Sequence, residues 1–286
     1  MKNYQNELFE GERSLFALQD ATITHTTFGE GESPLKESRN IQLKHSIIKY
    51  KYPLWYSRKI KVTDTIFETM ARSGIWYTQD IEITDSIFQA PKLFRRSSQI
   101  TLQNDYFSDA EETLWNCQDI RLENVQVTGD YFGMNSENIY ADHLSVVGNY
   151  VFDGAKNVEV HNSIFVSKDA FWNCENVTIY DSTITGEYLG WNTKKLTLIN
   201  CTIESEQGLC YINRLTMKNC RLQNSDLTFE YCTEIDAEIT TPVVSIKNPS
   251  SGTIIVEEVD QIILDAACID PTQTTIITRQ RNEVSA

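Results

Sequence analysis

The sequence predicts an all-β fold, a single-stranded right-handed parallel β-helix of about a dozen coils with roughly 19 residues in each coil. Three observations predict it: a repeat of nearly constant length, an alternation of apolar and polar residues at the start of each repeat, and a recurrent Asn, Asp or His shortly afterwards. Residues 158–176 and 177–195 align without a gap. A unit this short cannot bury its own apolar face, so neighbouring units must stack.

Each repeat opens with two apolar residues that lie one position apart, such as Val158 and Val160. The opening positions are 18 to 21 residues apart and most often 19. They are Ile23, Ile41, Ile60, Ile81, Ile100, Ile120, Ile139, Val158, Val177, Leu196, Leu215, Ile235 and Ile254. The residue after the opening is mostly polar, as at Lys61 and Thr178, which predicts a strand with one face in the core and one in water.

A corner is predicted four residues after each opening. The column holds His45, Asp64, Asp85, Asn104, Asn124, His143, Asn162, Asp181, Asn200 and Asn219. Asn and Asp tolerate the left-handed backbone conformation, which suits a sharp corner between strands. Because neighbouring strands lie about 4.8 Å apart, we expect the side chains of this column to hydrogen-bond in a ladder.

The repeat also sets the domain organisation. It predicts a single domain over residues 1–286, with an N-terminal cap at 1–22, coils at 23–270 and a polar C-terminal tail at 271–286. Within the coils, residues 33–40 align with residues 52–59. This alignment, with Pro34 over Pro53 and Arg39 over Arg58, fixes the register of the second half of each repeat.

Two other parallel solenoids have related patterns. A left-handed β-helix needs an aliphatic residue at every sixth position, and that spacing is absent here. A leucine-rich repeat shares the pattern of residues 196–203, but it needs an earlier Leu-x-x-Leu and a longer convex segment. The right-handed β-helix is therefore favoured.

Composition limits the partners. The chain is 41% hydrophobic and carries a net charge of −15, which disfavours nucleic acid and anionic membranes and favours a neutral or basic ligand such as a sugar. Neither a signal peptide nor an apolar run of about 18 residues is visible, so we expect a cytoplasmic protein without a membrane span. The seven cysteines follow no metal-site spacing, and we expect reduced thiols, no metal and no cofactor.

All five tryptophans fall in one column, five residues before the opening of the next repeat. The tryptophan strip, as we call this column, comprises Lys36, Trp55, Trp76, Arg95, Trp115, Met134, Asp153, Trp172, Trp191 and Cys210. Its charged members indicate a position at least partly on the surface. An Asn follows several members, at Asn116, Asn135, Asn173 and Asn192.

The strip has two interpretations. In the first, the aromatic rings and the neighbouring amides bind an oligo- or polysaccharide. The candidate ligand-binding residues are then Trp55, Trp76, Arg95, Trp115, Asn116, Trp172, Asn173, Trp191 and Asn192. In the second, the strip is a stacking ladder that stiffens the coils, with Lys36 and Arg95 in cation–π contact with the indoles.

An acidic column precedes the strip, with Glu111, Glu112, Asp130, Asp169, Glu187 and Glu206. Together with Asp153 of the strip, Asp130 and Asp169 are candidate catalytic carboxylates, since glycoside cleavage uses a pair of them. A solvated acidic face explains the same residues. Arg95 and Arg96 are candidates for binding a uronate carboxylate, or they form an ordinary surface pair.

Histidines and short motifs add no other chemistry. The four histidines show no metal-ligand spacing, and His45 and His143 occupy the predicted corner. The sequence contains no GxSxG motif, no phosphate-binding loop and no dinucleotide fingerprint.

Three N-terminal motifs carry a family resemblance: Gly-Glu-Arg-Ser-Leu-Phe at 11–16, Gly-Glu-Ser-Pro-Leu-Lys-Glu-Ser at 31–38 and Lys-Tyr-Pro-Leu-Trp-Tyr-Ser at 51–57. Together with the coils, they resemble the bacterial family called Domain of Unknown Function 3737. The resemblance covers essentially the whole chain and implies a right-handed β-helix similar to pectate lyases and polygalacturonases. It implies no activity and supplies no catalytic residue. The sequence has no counterpart of the close Asp trio of polygalacturonases or of a calcium-dependent lyase site.

Three functional hypotheses follow. The first is a carbohydrate-binding or scaffold protein that uses the tryptophan strip. The second is a polysaccharide or oligosaccharide hydrolase or lyase that uses Asp130, Asp153 and Asp169. The third is a purely structural interaction module. Because the repeats are short, we expect few long loops that could form the sides of a groove for a polymer. This favours the first hypothesis over the second.

Overall fold

A computed structural model describes residues 2–279 and confirms the predicted parallel β-solenoid of roughly 19 residues per turn. Over these residues the chain makes about 15 turns. Its contacts group into two compact units, Met1–Gly148 and Asn149–Ala286, which we call unit one and unit two. Within residues 2–279 there is no α-helix, and the single helical element is a 3₁₀ turn at Pro271–Gln273. A single domain stays a prediction.

Short strands make up both units. Unit one contains β1 (Lys2–Gln5), β2 (Leu8–Phe9), β3 (Gln19–Thr24), β4 (Thr27–Phe28), β5 (Arg39–Lys44), β6 (Ile47–Ile48), β7 (Arg58–Thr63), β8 (Ile66–Phe67), β9 (Ile75–Trp76), β10 (Gln79–Thr84), β11 (Ile87–Phe88), β12 (Phe94–Arg95), β13 (Ser98–Gln103), β14 (Tyr106–Phe107), β15 (Gln118–Thr128) and β16 (Glu137–Val147). Unit two contains β17 (Lys156–His161), β18 (Ile164–Val166), β19 (Asp169–Ala170), β20 (Glu175–Tyr180), β21 (Thr183–Gly186), β22 (Tyr188–Leu189), β23 (Lys194–Ile199), β24 (Thr202–Ser205), β25 (Asn213–Gln223), β26 (Ile235–Ile239), β27 (Val243–Lys247), β28 (Gly252–Val256), β29 (Val259–Ile263) and β30 (Thr274–Thr278).

Strand register confirms most opening positions. In unit one the openings from Ile41 to Ile139 pair in succession, and in unit two those from Val158 to Leu215 do the same. The first and last assignments are wrong by two residues. Ile23 pairs with Leu43, so the opening of that turn is Ala21.

At the other end, Ile254 pairs with Ala237, and Gly252 lies opposite Ile235. The openings of these two turns are therefore the small residues Ala21 and Gly252. Neither has the large apolar side chain by which the openings were identified in the sequence.

The solenoid pattern continues beyond the predicted coils at both ends. Strand β1 pairs with β3 and β2 pairs with β4, so the segment predicted as a cap contributes a turn of the same form. Strand β30, which lies in the segment predicted as a tail, pairs with β28. Residues 280–286 of that tail lie outside the described residues.

The predicted corner four residues after each opening is confirmed. The ten members of this column, from His45 to Asn219, are all left-handed, with φ between 46° and 56°. Their side chains form the expected ladder. In unit one Asn104 Nδ2 donates to Asp85 Oδ1 at 3.0 Å, and in unit two Asn200 Nδ2 donates to Asp181 Oδ1 at 2.9 Å.

Each turn has further left-handed corners, which the sequence did not predict, and two of them recur in nearly every turn. The opening corner lies one residue before the opening, as at Asn157 and Asn176 with φ of 53° and 59°. The closing corner lies four residues before the next opening, as at Tyr56 and Tyr77 with φ of 56° and 58°. Asn176 Nδ2 donates to Asn157 Oδ1 at 3.0 Å, so the opening corner also forms a side-chain ladder.

Large aromatic side chains fill the core of unit one. Phe88 is fully buried and stacks on Phe67, with ring centroids 4.8 Å apart, and on Phe107, at 4.3 Å. In unit two, Phe152, Phe165 and Phe171 pack together with centroids 5.2 to 6.3 Å apart. Burial of these rings adds to the stability that a short repeat obtains from its neighbours.

A buried row of hydroxyl groups runs beside the core of unit one. Ser46 and Ser86 each donate to the carbonyl two residues earlier, at 2.7 and 2.9 Å, and each accepts from a backbone N–H of the preceding turn, at 3.2 Å. Asp105 occupies the next place in this row. Its Oδ1 accepts from Ser86 N at 2.8 Å, and its Oδ2 accepts from Gln103 N at 3.1 Å.

Asp105 should make stability depend on pH. Its side chain is 2% exposed, and burial raises the pKa of the Asp105 carboxyl from 3.8 to about 7. The folded chain therefore holds a proton that the unfolded chain has lost between about pH 4 and pH 7. We expect the free energy of unfolding to fall over this range as pH rises, by on the order of 2–4 kcal/mol.

Asp105→Ser should remove this dependence and stabilise the protein at about pH 8 by roughly 2 kcal/mol, because serine restores the pattern of Ser46 and Ser86. The measurement is urea denaturation at several pH values. Asp181→Asn, which removes the same charge at an exposed corner of unit two, should leave the pH dependence in place. A pH profile that Asp105→Ser leaves unchanged would contradict this account.

Candidate functional site

In unit one the tryptophan strip is a continuous stack. The rings of Trp55 and Trp76 lie 5.2 Å apart with an interplanar angle of 9°. Arg95 Cζ lies 4.7 Å from the ring centroids of both Trp76 and Trp115, and Lys36 Nζ lies 6.0 Å from that of Trp55. The two faces of Trp76 are therefore covered by neighbours, and its edge is directed outward. This geometry favours the ladder interpretation in unit one.

The indole N–H groups of this stack are also engaged. Trp76 Nε1 donates to the Lys92 carbonyl at 2.9 Å, and Trp115 Nε1 donates to the Tyr131 carbonyl at 2.8 Å. Trp55 Nε1 donates to the Ser73 carbonyl. A sugar could not use these donors without breaking bonds that hold the second half of the turn.

In unit two the strip is less regular. Trp172 and Trp191 lie 5.7 Å apart and are tilted by 32°, and Trp191 continues onto Tyr211 at 4.7 Å. Cys210, which the sequence placed in the strip, is buried, and Tyr211 supplies the ring instead. Trp172 Nε1 is buried and has no hydrogen-bond partner among the described residues.

The Asn residues beside the strip are closing corners. Asn116, Asn173 and Asn192 have φ of 52°, 53° and 57°. In unit two their amides are used within the protein, since Asn192 Nδ2 donates to Asn173 Oδ1 at 3.0 Å and Asn173 Nδ2 donates to Asp153 Oδ1 at 2.9 Å. Corner geometry therefore accounts for these residues, and their ligand-binding role stays a prediction.

The candidate carboxylates have different environments. Asp130 lies in unit one and is half-buried. In unit two, Asp153 accepts the Asn173 bond, while Asp169 is 2% exposed and burial raises the pKa of its carboxyl. Asp169 Oδ1 has no hydrogen-bond partner among the described residues. A catalytic role for the three remains a prediction.

Other acidic and basic candidates are ion-paired. Glu112 lies 3.1 Å from both Lys92 Nζ and Arg95 Nη2, and Glu187 lies 3.1 Å from Lys168 Nζ. Arg95 is thus held between the stack and Glu112, whereas Arg96 is exposed at a closing corner. The two arginines therefore have different environments, and their binding of a uronate stays a prediction.

An open groove of about 520 Å³ in unit one was missed by the sequence reasoning. It is lined by Ala17, Gln19, Glu37, Arg39, Tyr56, Arg58 and Tyr77. Tyr56 and Tyr77 stack with centroids 4.8 Å apart and an interplanar angle of 5°, and Tyr56 is 49% exposed. Arg39 and Arg58 lie directly opposite each other on β5 and β7. The alignment of these arginines was visible in the sequence, but only as a register marker.

The remaining candidates are structural. All seven cysteines are free, and six of them are buried. Burial raises the pKa of the Cys117 thiol to about 12, so it is a poor nucleophile. His45 Nδ1 lies 2.7 Å from Asp64 Oδ2 within the corner ladder.

Across residues 2–279, no three His, Cys, Asp or Glu side chains are grouped as a metal site would require. Over the same residues, no helix has the length and apolar character to span a membrane.

A family model described as "Protein of unknown function (DUF3737)" matches residues 2–277, which confirms the resemblance seen in the N-terminal motifs. No curated protein matches the chain.

Solved structures with similar folds are β-helix proteins of several kinds. PfbA, a surface adhesin of Streptococcus pneumoniae, is 12% identical with a TM-score of 0.42, over 80% of this chain and 76% of PfbA. A mutant tailspike protein of E. coli bacteriophage HK620 in complex with a hexasaccharide is 10% identical with a TM-score of 0.40, over 94% of this chain and 65% of the tailspike chain. The A-module of the Azotobacter vinelandii mannuronan C-5 epimerase AlgE4 is 9% identical with a TM-score of 0.34, over 96% of this chain and 87% of the module.

Proposed function

The chain belongs to the DUF3737 family, described only as proteins of unknown function, and we propose that it is a non-catalytic scaffold that binds a carbohydrate. The open groove of unit one carries this proposal. Its volume of about 520 Å³ lies within the range of small-ligand sites. Its walls offer phenol hydroxyls, guanidinium groups and the Gln19 amide, which are suitable partners for sugar hydroxyls.

Hydrogen bonding, rather than ring stacking, would hold the sugar in this groove. One face of Tyr56 lies against Tyr77. Lys36, on the preceding turn, has its Nζ 5.7 Å from the centroid of the Tyr56 ring. The hydroxyls of the two rings repeat at the spacing of one turn. A saccharide that lies along the turns would meet equivalent donors at equal steps.

A glycan array followed by calorimetric titration tests the proposal. We expect at least one oligosaccharide to bind, and the double variant Tyr56→Phe, Tyr77→Phe to bind it about tenfold more weakly, since it loses two hydroxyls but keeps both rings. Tyr106→Phe is the matched control, because Tyr106 is exposed outside the groove. Absence of binding to every saccharide, or unchanged affinity of the double variant, would contradict the proposal.

One observation supports the hydrolase or lyase alternative. A buried carboxyl with a raised pKa, as at Asp169, is what a general acid needs. The assay is release of reducing ends or unsaturated products from neutral and uronate oligosaccharides, with Asp169→Asn as the comparison. If no product is released from any of them, this alternative is eliminated, and absence of all binding would leave the purely structural module.

A further inference from the structure

Positive charge is concentrated in the turns of unit one that contribute to the groove. Residues 36–61 contain eight Lys or Arg residues and one Glu, a local net of +7 in a chain whose total is −15. Three of the eight are ion-paired: Lys49 with Glu68 at 3.7 Å, Lys51 with Glu32 at 3.4 Å and Lys61 with Glu82 at 2.7 Å. Arg39 and Arg58, which line the groove, form no ion pair among the described residues.

The placement of these two arginines is unfavourable without a counter-charge. They are directly opposed on neighbouring parallel strands, which lie about 4.8 Å apart. Like charges directly opposite each other destabilise a sheet. Their neighbours in the same column are Gln19 on β3 and Gln79 on β10. The groove is also lined by the Glu37 carboxylate, which forms no ion pair with either arginine among the described residues. An anion bound between the guanidinium groups would relieve the repulsion.

The groove supplies further donors for such an anion. Tyr56 and Tyr77 form its aromatic wall, and their hydroxyls repeat at the same step as the strands that carry the arginines. Guanidinium groups bind carboxylates with two parallel hydrogen bonds, which gives both strength and orientation. Phenol and amide groups complement the hydroxyls that remain on a sugar ring.

We infer that this groove selects a short acidic oligosaccharide, whose uronate carboxylate binds between Arg39 and Arg58 while the Tyr56 and Tyr77 hydroxyls hold the sugar hydroxyls. The inference rests on the proposed function and names its ligand class. A short ligand fits because the chain outside residues 36–61 carries a net charge of −22, the total of −15 less the local +7, which repels an extended polyanion. The same repulsion disfavours nucleic acid.

The test is calorimetric titration of the full chain with a trimer of galacturonate and with a trimer of galactose, which differ in the carboxylate. We expect the acidic trimer to bind about tenfold more tightly or better, and the difference to shrink as salt is added. The double variant Arg39→Gln, Arg58→Gln should lose this preference and keep its affinity for the neutral trimer within about twofold. The double variant Arg214→Gln, Arg221→Gln, at two exposed arginines of unit two, is the charge-matched control and should change neither affinity.

Each other outcome overturns the inference in an identifiable way. Equal binding of the two trimers would refute the acidic selectivity and leave the proposed function standing. A different anion would be the ligand if neither trimer binds, if a DNA oligonucleotide or inorganic phosphate does bind, and if the double variant Arg39→Gln, Arg58→Gln no longer binds it. Failure of every saccharide on the array would remove the proposed function as well. If the double variant does not fold, Arg39→Lys retains the charge without the forked donor geometry, and it should weaken binding of the acidic trimer alone.

Discussion

Phe88→Ala should lower the free energy of unfolding by about 3–5 kcal/mol, the largest effect we expect from a single substitution. Phe88 is fully buried, and its ring lies between those of Phe67 and Phe107 at 4.8 and 4.3 Å. Removing it leaves a cavity between rings held in place by the strand register, so the neighbours have little freedom to close the gap. Urea denaturation followed by far-ultraviolet circular dichroism measures the loss.

Ile87→Ala is the matched control, since Ile87 is the adjacent residue and is 40% exposed. It should cost less than about 1 kcal/mol. Hydrogen exchange adds a second readout, because each repeat of a solenoid contacts only its neighbours and the loss should be greatest in the turns next to β11. Equal effects of the two substitutions would mean that the phenylalanine stack is not the main stabilising element.

Arg95→Ala should destabilise the protein by about 2–3 kcal/mol, through the loss of two partly buried cation–π contacts and an ion pair. The side chain is 22% exposed, lies 4.7 Å from both Trp76 and Trp115, and pairs with Glu112 at 3.1 Å. Its removal opens the stack between two indoles and admits water there. Denaturation and tryptophan fluorescence measure the two consequences, and we expect the emission to shift to longer wavelength.

Arg96→Ala separates this effect from the loss of a positive charge. Arg96 is the next residue along the chain, is exposed and occupies a closing corner. We expect it to change stability by no more than about 0.5 kcal/mol and to leave the fluorescence unaltered. If both variants behave alike, Arg95 is a surface charge rather than a spacer in the ladder.

The parts of the fold that could be predicted from sequence are those in which residue type and position agree. Isoleucine, valine and leucine at most openings gave the strands, and Asn or Asp four residues later gave a corner that is left-handed in the structure. The closing corner was hidden because its column mixes Asn, as at Asn116, with residues such as Tyr56 and Arg96 that have no preference for that conformation. Backbone bonds to the next turn hold them there, from Tyr56 N to the Trp76 carbonyl and from Arg96 N to the Trp115 carbonyl, both at 3.0 Å.

The candidate site could be predicted from the sequence only in part, for a related reason. The order of Trp55, Trp76 and Arg95 in one column predicted the cation–π ladder, because a fixed period brings like positions together. The groove combines a strand column, Arg39 and Arg58, with a corner column, Tyr56 and Tyr77, and their proximity depends on how sharply the chain turns between them. The net charge of −15 is a total for the whole chain, and it gives no indication of the basic stretch at residues 36–61.

The left-handed corners that recur from turn to turn bear on how such a chain can change length. Excision of residues 177–195 would place Asn176 directly before Leu196, so the opening corner would still precede an opening and the Asn ladders of both flanking turns would remain in phase. Loss of a single residue between an opening and the corner four residues later would instead put a side chain with a core role at a bend. Duplication or removal of whole repeats keeps all the corners in phase, and we expect the large differences in length between related chains to be close to multiples of one turn.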